Sequence, residues 1–194
     1  MENLNFFSIS DDYVKFLQSE ETKARGFSRV PNTDYGDSQK EKFLCGVVLR
    51  VNDFDYYVPV SSYKKQQPDN FLVKNKYGKI VGSLRFNYMF PVPKKFVAEK
   101  EIAKESDPAY RALLSQELRY CIKNQAHICS LAERTYKRVL LGKNLGLVRN
   151  SCDFPLLEKK MQEYIRQKET SKAEAALDAL FGFTHREPDE DLSL

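Results

Sequence analysis

The sequence predicts an α+β protein, and three observations carry that prediction. Residues 42–93 are short runs of aromatic and β-branched residues separated by turn signals. From Asp107 onward, apolar residues recur at three- and four-residue steps. Residues 10–25 open and close like a helix. The expected architecture is a curved antiparallel β-sheet from residues 42–93, flanked by α-helices from 10–25 and 107–180.

In Ser10-Asp11-Asp12 a serine suited to capping precedes two aspartates that favour the positive end of a helix dipole. Tyr13, Phe16 and Leu17 supply one apolar face, and the helix should fade near Arg25-Gly26. Residues 26–41, with Pro31, Asn32 and Gly36, read as a long loop. Phe43 to Val51 and Phe54 to Val60 read as a hairpin closed by Asn52-Asp53. Pro59 has no N–H, so the second strand is expected to end or lie at an edge there. Phe71-Leu72-Val73 and Lys79 to Leu84 follow, joined across Tyr77-Gly78. Phe86 to Pro93 is an apolar run ended by its prolines, making five or six short strands in all.

Pro108 suits the first turn of a helix carrying Tyr110, Leu113, Leu114, Leu118, Cys121 and Ile122. The pattern either breaks near Gln125–Ser130 or runs through Leu131 to Leu141, and Gly142 stops it. A last helix should begin near Asp153-Phe154-Pro155, carry Leu156, Leu157, Met161 and Ile165, and extend through the Ala-rich segment from Ala173 to Leu180. Residues 182–194 read as an acidic, frayed tail.

A length of 194 residues with 42% hydrophobic content suits one domain, 1–194, able to bury a core. No apolar stretch nears the ~18–20 residues that cross a bilayer, and Met1 to Ser10 has no signal-peptide pattern. A cytoplasmic protein with no membrane partner is expected. Cys45, Cys121, Cys129 and Cys152 are irregularly spaced, which favours reduced, mostly buried thiols over disulfides or zinc.

Charge is unevenly spread. Residues 61–100 hold nine basic side chains against Asp69 and Glu99, while residues 170–194 hold two basic against six acidic. A basic middle beside an acidic tail points to an anionic partner, nucleic acid first, although lysine-rich surfaces are also common on proteins with no such partner. His127 and His185 have no partner for a catalytic dyad, and no zinc-protease, nucleophile-elbow, P-loop or dinucleotide motif is present. An enzyme built from this chain would be independent of metal, cofactor and histidine. The densest chemistry is Ser61-Ser62-Tyr63-Lys64-Lys65 at the end of an aromatic strand, where hydroxyls and ammonium groups can hold a phosphate. Alone, a Ser-Ser after a strand is more often a turn.

Taken in order, the chain's motifs resemble the ToxN/AbiQ/CptN group, the endoribonuclease toxins of type III toxin–antitoxin systems, with the CptN branch nearest. The resemblance begins with the pattern from Phe6 to Leu17 and Val30-Pro31-Asn32, then Lys42 to Leu49, Tyr57 to Lys64, and Asn87 to Val92. It continues with Tyr110, Leu113-Leu114, Leu118, Asn124, Ile128 and Leu140 to Lys143, and closes with Cys152 to Glu158. It implies a Kid/MazF-like sheet core. The strand-end pattern Pro-x-[Ser/Thr]-Ser-x-Lys falls on Pro59, Ser61, Ser62 and Lys64. Ser62 then matches the essential serine, with Ser61 and Lys64 beside it. The lysine four positions before the strand glycine falls on Lys42, with Lys40 as the alternative, and the loop tyrosine falls on Tyr35. Two departures stand out: the gap from Tyr35 to Lys42 is longer than in ToxN, and Tyr63 takes the place of a common proline.

The resemblance implies RNA cleavage without metal by 2′-OH attack, leaving 2′,3′-cyclic phosphate and 5′-OH ends. Such a step needs a base, donors for the phosphorane charge and an acid. Lys42 would move a proton, Lys64 would hold the phosphate, Ser62 and Ser61 would align it, and Tyr35 would position the nucleotide or donate a proton. Lys65, Lys74, Lys76, Lys79, Arg85, Lys94 and Lys95 would bind backbone phosphates, with Tyr63 stacking on bases. The implied partners are mRNA as substrate and a repeat-derived pseudoknot antitoxin RNA as inhibitor. Toxin and RNA would assemble as a hetero-oligomer in an antiviral, abortive-infection setting. A non-catalytic RNA-binding module and a protein-interaction domain are the alternatives that composition alone leaves open.

Overall fold

In the computed structural model, which describes residues 3–32 and 42–181, the chain opens with a strand, β1 (Asn5–Ile9), and a helix, α1 (Asp11–Arg25). Ser10 is the residue before α1, but its side chain makes no capping bond. Its carbonyl accepts the Val14 N–H instead. Gly26 ends α1 in the left-handed region at φ 77°, where a residue with a Cβ is strained. The expected loop at 26–41 is described only as far as residue 32.

The hairpin forms as expected from β2 (Leu44–Val51) and β3 (Phe54–Ser61). Asn52 and Asp53 both take positive φ, 48° and 65°, the primed-turn geometry that matches strand twist. A second hairpin pairs β4 (Asn70–Lys74) with β5 (Ile80–Arg85). The run from Phe86 to Pro93 is not one strand. Phe86–Tyr88 is a 3₁₀ turn, and only β6 (Phe90–Pro91) pairs with β3. With β7 (Val97–Glu99), the sheet order is β4-β5-β3-β2-β1-β7, with β6 set against β3 off that path. β1 and β7 lie outside what periodicity predicted, because a strand this short is held by its neighbours. β1 is antiparallel to β2 on one side and to β7 on the other.

Pro59 also departs from expectation, since β3 is a central strand. Val60 donates to the Phe43 carbonyl at 3.2 Å, so by strand alternation the Pro59 nitrogen faces the opposite side. There β3 exchanges partners, from β6 at Tyr56–Tyr57 to β5 at Val60–Ser61. The missing N–H therefore leaves no ladder bond unmade.

The helical half breaks at the start of the 125–130 region, the first of the two expected alternatives. α2 (Pro108–Lys123) ends at Asn124, and α3 (Gln125–Leu140) starts there. Asp107 caps α2 by accepting from Ala109 and Tyr110 N–H. α3 buries Ile128, Leu131, Ala132, Thr135, Tyr136 and Val139, one face at helical spacing. Gly142, at φ 68°, follows it. A short helix, α4 (Leu145–Arg149), was not foreseen, and α5 (Phe154–Phe181) begins where expected.

The core gathers Phe6, Tyr13, Leu17, Tyr56, Phe86, Phe90 and Phe154, all fully buried. Each such side chain contributes roughly 1.5–3 kcal/mol. Tyr56 and Tyr136 both donate to Glu158 Oε1, at 2.7 and 2.8 Å. Burial and the Glu158 hydrogen bond hold both phenols well above their usual range. Cys45, Cys121 and Cys152 are buried and unoxidised, with Cys129 partly exposed. Among the described residues, no helix is long and apolar enough to cross a membrane. A first unit runs to Met161, and from Gln162 the rest of α5 forms a second unit, in which Lys168 sits over the Tyr164 ring. The acidic tail at 182–194 lies outside the described residues.

Candidate active site

Three strands meet where β3 ends. Ser61 pairs with Ser83 and Val60 with Leu84 on β5, while Leu44 of β2 pairs with Pro59. Continuing that antiparallel ladder brings Lys42 opposite Ser61. The backbones pack closely here. A Cβ on Gly82 would lie 2.7 Å from the Ser61 carbonyl oxygen and 3.8 Å from Glu117 Oε1. Glu117 belongs to α2, and burial pushes its carboxyl pKa up to about 7.

Beyond Ser61 the chain bends. The Tyr63 N–H donates to Ser61 Oγ at 3.2 Å, a local turn that leaves the serine proton available for another acceptor. This turn brings the Tyr63 ring to 5.0 Å from the Arg85 guanidinium, with the Tyr88 ring on Arg85 at 4.3 Å. Arg85 Nη2 also donates to the Tyr88 hydroxyl at 3.2 Å, while its Nε is buried with no hydrogen-bond partner. Two rings thus hold the guanidinium plane in place while donors stay uncommitted.

A third wall comes from the segment after α1. Glu21, fully buried, accepts from Ser28 Oγ at 2.7 Å and from the backbone N–H groups of Arg29 and Val30 at 2.6 and 3.2 Å. These bonds fix residues 28–30 beside the strand ends. Lys42 Nζ donates to the Asn32 carbonyl, tying β2's start to the same segment. The result is a cavity of about 250 Å³ lined by Arg29, Lys42, Pro59, Ser61, Arg85 and Tyr88, among others. Among the described residues three cations line it, and no carboxylate does. Such a lining favours an anion, and a phosphate oxygen could accept from Arg85, Lys42 and the Ser61 hydroxyl. Among the described residues no group of histidine, cysteine and carboxylate side chains is arranged to hold a metal ion.

The expected site residues are partly gathered by this geometry. Lys42, Ser61 and Arg85 share the cavity, and Tyr63 packs on Arg85. Ser62, Lys64 and Lys65 follow the strand end as exposed residues. Tyr35 and Lys40 lie outside the described residues. Lys74, Lys76 and Lys79 are exposed along the β4–β5 hairpin. Lys94 and Lys95 are exposed just before β7, at the opposite edge of the sheet from β4, so the basic segment is not one patch. Sequence reasoning missed Arg29, which sits in a turn-rich segment with no periodic signal, and the clamp role of Tyr88.

Residues 5–162 match a family model described as "Toxin ToxN, type III toxin-antitoxin system". The chain is similar to the endoribonuclease ToxN of Bacillus thuringiensis subsp. kurstaki, 29% identical, with 90% of this chain and 91% of that protein covered. It is also similar to the endoribonuclease AbiQ of Lactococcus lactis subsp. lactis, 28% identical over 84% of this chain and 91% of that protein. Among solved structures, a type III toxin selectively inhibited by a non-coding RNA pseudoknot superposes with a TM-score of 0.73 at 29% identity, covering 84% of this chain and 98% of that one.

Proposed function

The chain belongs to the ToxN family of type III toxin–antitoxin toxins, and from that premise we propose that it is an endoribonuclease toxin that cleaves mRNA. The observation that carries this reading is the cavity at the end of β3, where Arg29, Lys42, Arg85 and Ser61 line the walls and none of the described lining residues is a carboxylate. The described lining offers no carboxylate to a divalent cation, which supports a reaction without metal. The 2′-OH attacks the adjacent phosphorus. The P–O2′ bond forms, the P–O5′ bond breaks, and the products are a 2′,3′-cyclic phosphate and a 5′-OH.

Lys42 moves the proton of the 2′-OH or of the leaving oxygen. Arg85, held flat by Tyr63 and Tyr88, and Lys64 hold the phosphate and meet the charge that develops on it. Ser62 and Ser61 donate hydrogen bonds that align it, and Tyr35 positions the nucleotide or donates a proton. Lys65, Lys74, Lys76 and Lys79 attract the RNA backbone, with Lys40, Lys94 and Lys95 as outlying contributors. A pseudoknot antitoxin RNA, the kind of inhibitor reported for the structural relative, silences the toxin by covering this cavity in an RNA–protein assembly. The biological setting is antiviral defence in a bacterial cytoplasm.

The test is incubation of RNA-free wild-type and Ser62→Ala protein with mixed mRNA in EDTA, with the cut ends mapped. Discrete cuts with cyclic-phosphate and 5′-OH ends are expected, slowed by ~10²–10³ in Ser62→Ala. The thermal melt should not move, because Ser62 is exposed. Intact RNA with the wild-type protein would make the chain a binding module. Equal loss of folding in the variant would remove Ser62 from the chemistry.

A further inference from the structure

A second concavity lies apart from the cavity at β3. A groove of about 690 Å³ runs between the segment 66–71, strand β4 and helices α2 and α3. Phe71 forms part of its floor, with Tyr120 of α2 and His127 of α3 each 5.8 Å from it, ring centre to ring centre. His127 is exposed and Tyr120 half-buried, so aromatic surface faces the opening. Lys74 and Arg134, both exposed, stand among its lining residues, and none of the described lining residues is acidic. Arg134 spends one donor on the Pro68 carbonyl at 3.1 Å, and a guanidinium carries five. Among the described strands β4 is an edge strand paired with β5, so its other edge has no strand partner.

A chain of contacts links the two concavities. Buried Asn70 braces the connecting segment, donating to the Lys65 carbonyl at 2.9 Å and accepting from Gln67 N–H at 2.9 Å. Gln67 Nε2 donates to the Tyr63 hydroxyl at 3.1 Å, and the Tyr63 ring covers Arg85 in the first cavity. Exposed Lys64 and Lys65 lie in sequence between Ser61 of the first cavity and Gln66 of the groove.

We propose that this groove is a second RNA subsite, which binds an unpaired stretch of the same RNA flanking the scissile phosphate. One base stacks on the Tyr120–His127 wall, and neighbouring phosphates meet Lys74 and Arg134. The choice of unpaired RNA follows from the chemistry: aromatic faces take bases whose own faces are uncovered, and rim cations take phosphates. The inference rests on the nuclease reading for the identity of the strand, but its geometry stands apart from the cleavage residues.

The test uses fluorescently labelled, unstructured RNA of roughly 20 nucleotides, longer than the site size of a typical single-strand binder. Binding to Ser62→Ala protein is measured by anisotropy with and without His127→Ala and Lys74→Ala. Both added positions are exposed, and alanine is a good helix former at 127. The pair should weaken binding on the order of tenfold. It should also lower the salt dependence by about one phosphate contact. RNA carrying 5-iodouridine should cross-link to Tyr120 or His127. An unchanged affinity with cross-links elsewhere overturns the subsite. Wild-type cleavage run in parallel separates the two readings. Cleaved RNA with unchanged affinity sinks the groove and keeps the nuclease; intact RNA with weakened affinity does the reverse. Should the double variant unfold, His127→Ala alone and the cross-link map decide.

Discussion

Replacing Glu21 with alanine should cost this protein more than any single hydrogen bond. The carboxylate is fully buried in α1. Its Oε1 accepts from Arg25 Nη1 at 2.7 Å and from the Asp153 N–H at 2.8 Å. Its Oε2 accepts from Ser28 and from the N–H groups of Arg29 and Val30. Alanine leaves Arg25 without its buried carboxylate and several backbone donors without an acceptor. Removing one partner of a buried ion pair costs about 3–5 kcal/mol. For a chain of this size, that lowers the melting temperature by about 6–20 °C. The effect should reach the cavity too, because Ser28, Arg29 and Pro31 line it. Glu21→Gln recovers little, since its amide group must face donors on one side or the other. With no tryptophan in the chain, urea unfolding followed by far-ultraviolet circular dichroism is the suitable assay. A loss below about 1 kcal/mol, the size of one ordinary hydrogen bond, would refute the hub role.

Glu117 should make stability depend on pH. Burial raises its pKa to about 7 from an ordinary value near 4.5, so the folded state keeps the proton longer than the unfolded state. That contribution is fully present below about pH 4.5 and is lost as pH rises through 7. Glu117→Gln should therefore match wild type near pH 4 and exceed it at pH 8 by about 1–3 kcal/mol in paired denaturation curves. A constant offset at both pH values would mean that the buried carboxyl is not the cause. Gly82→Ala forces a Cβ against the Ser61 carbonyl at 2.7 Å. It should cost about 1–3 kcal/mol in a thermal melt. RNA cleavage should also fall by roughly 10–10², because the strand end that carries the serines must shift. An unaffected rate would detach Ser61's placement from the reaction.

The sequence reading and the structure agree at several local signals. The Asn52-Asp53 turn, the Pro108 and Phe154 helix starts and the Gly142 stop each rest on the backbone preferences of a few adjacent residues. They part where tertiary partners decide. Ser10 looks like a side-chain cap and makes no such bond. Phe86 to Pro93 looks like a strand, but most of it turns, with Met89 N–H closing on the Phe86 carbonyl. Pro59 looks like an edge residue, yet a central strand accommodates it by changing partners at that point.

By itself the sequence determined the alternation of sheet and helix, the place of Ser61-Ser62-x-Lys64 just past a strand and the family resemblance. Periodicity, turn chemistry and motif order are written in neighbouring residues. Only the tertiary structure decided that Arg29, Lys42 and Arg85 surround one cavity, that Tyr63 and Tyr88 clamp Arg85, and that His127 looks onto a groove beside β4. Those arrangements depend on contacts between residues far apart in the chain, held by buried groups such as Glu21 and Asn70. Their positions carry no periodic pattern, because a single side chain with many partners leaves no repeat to read.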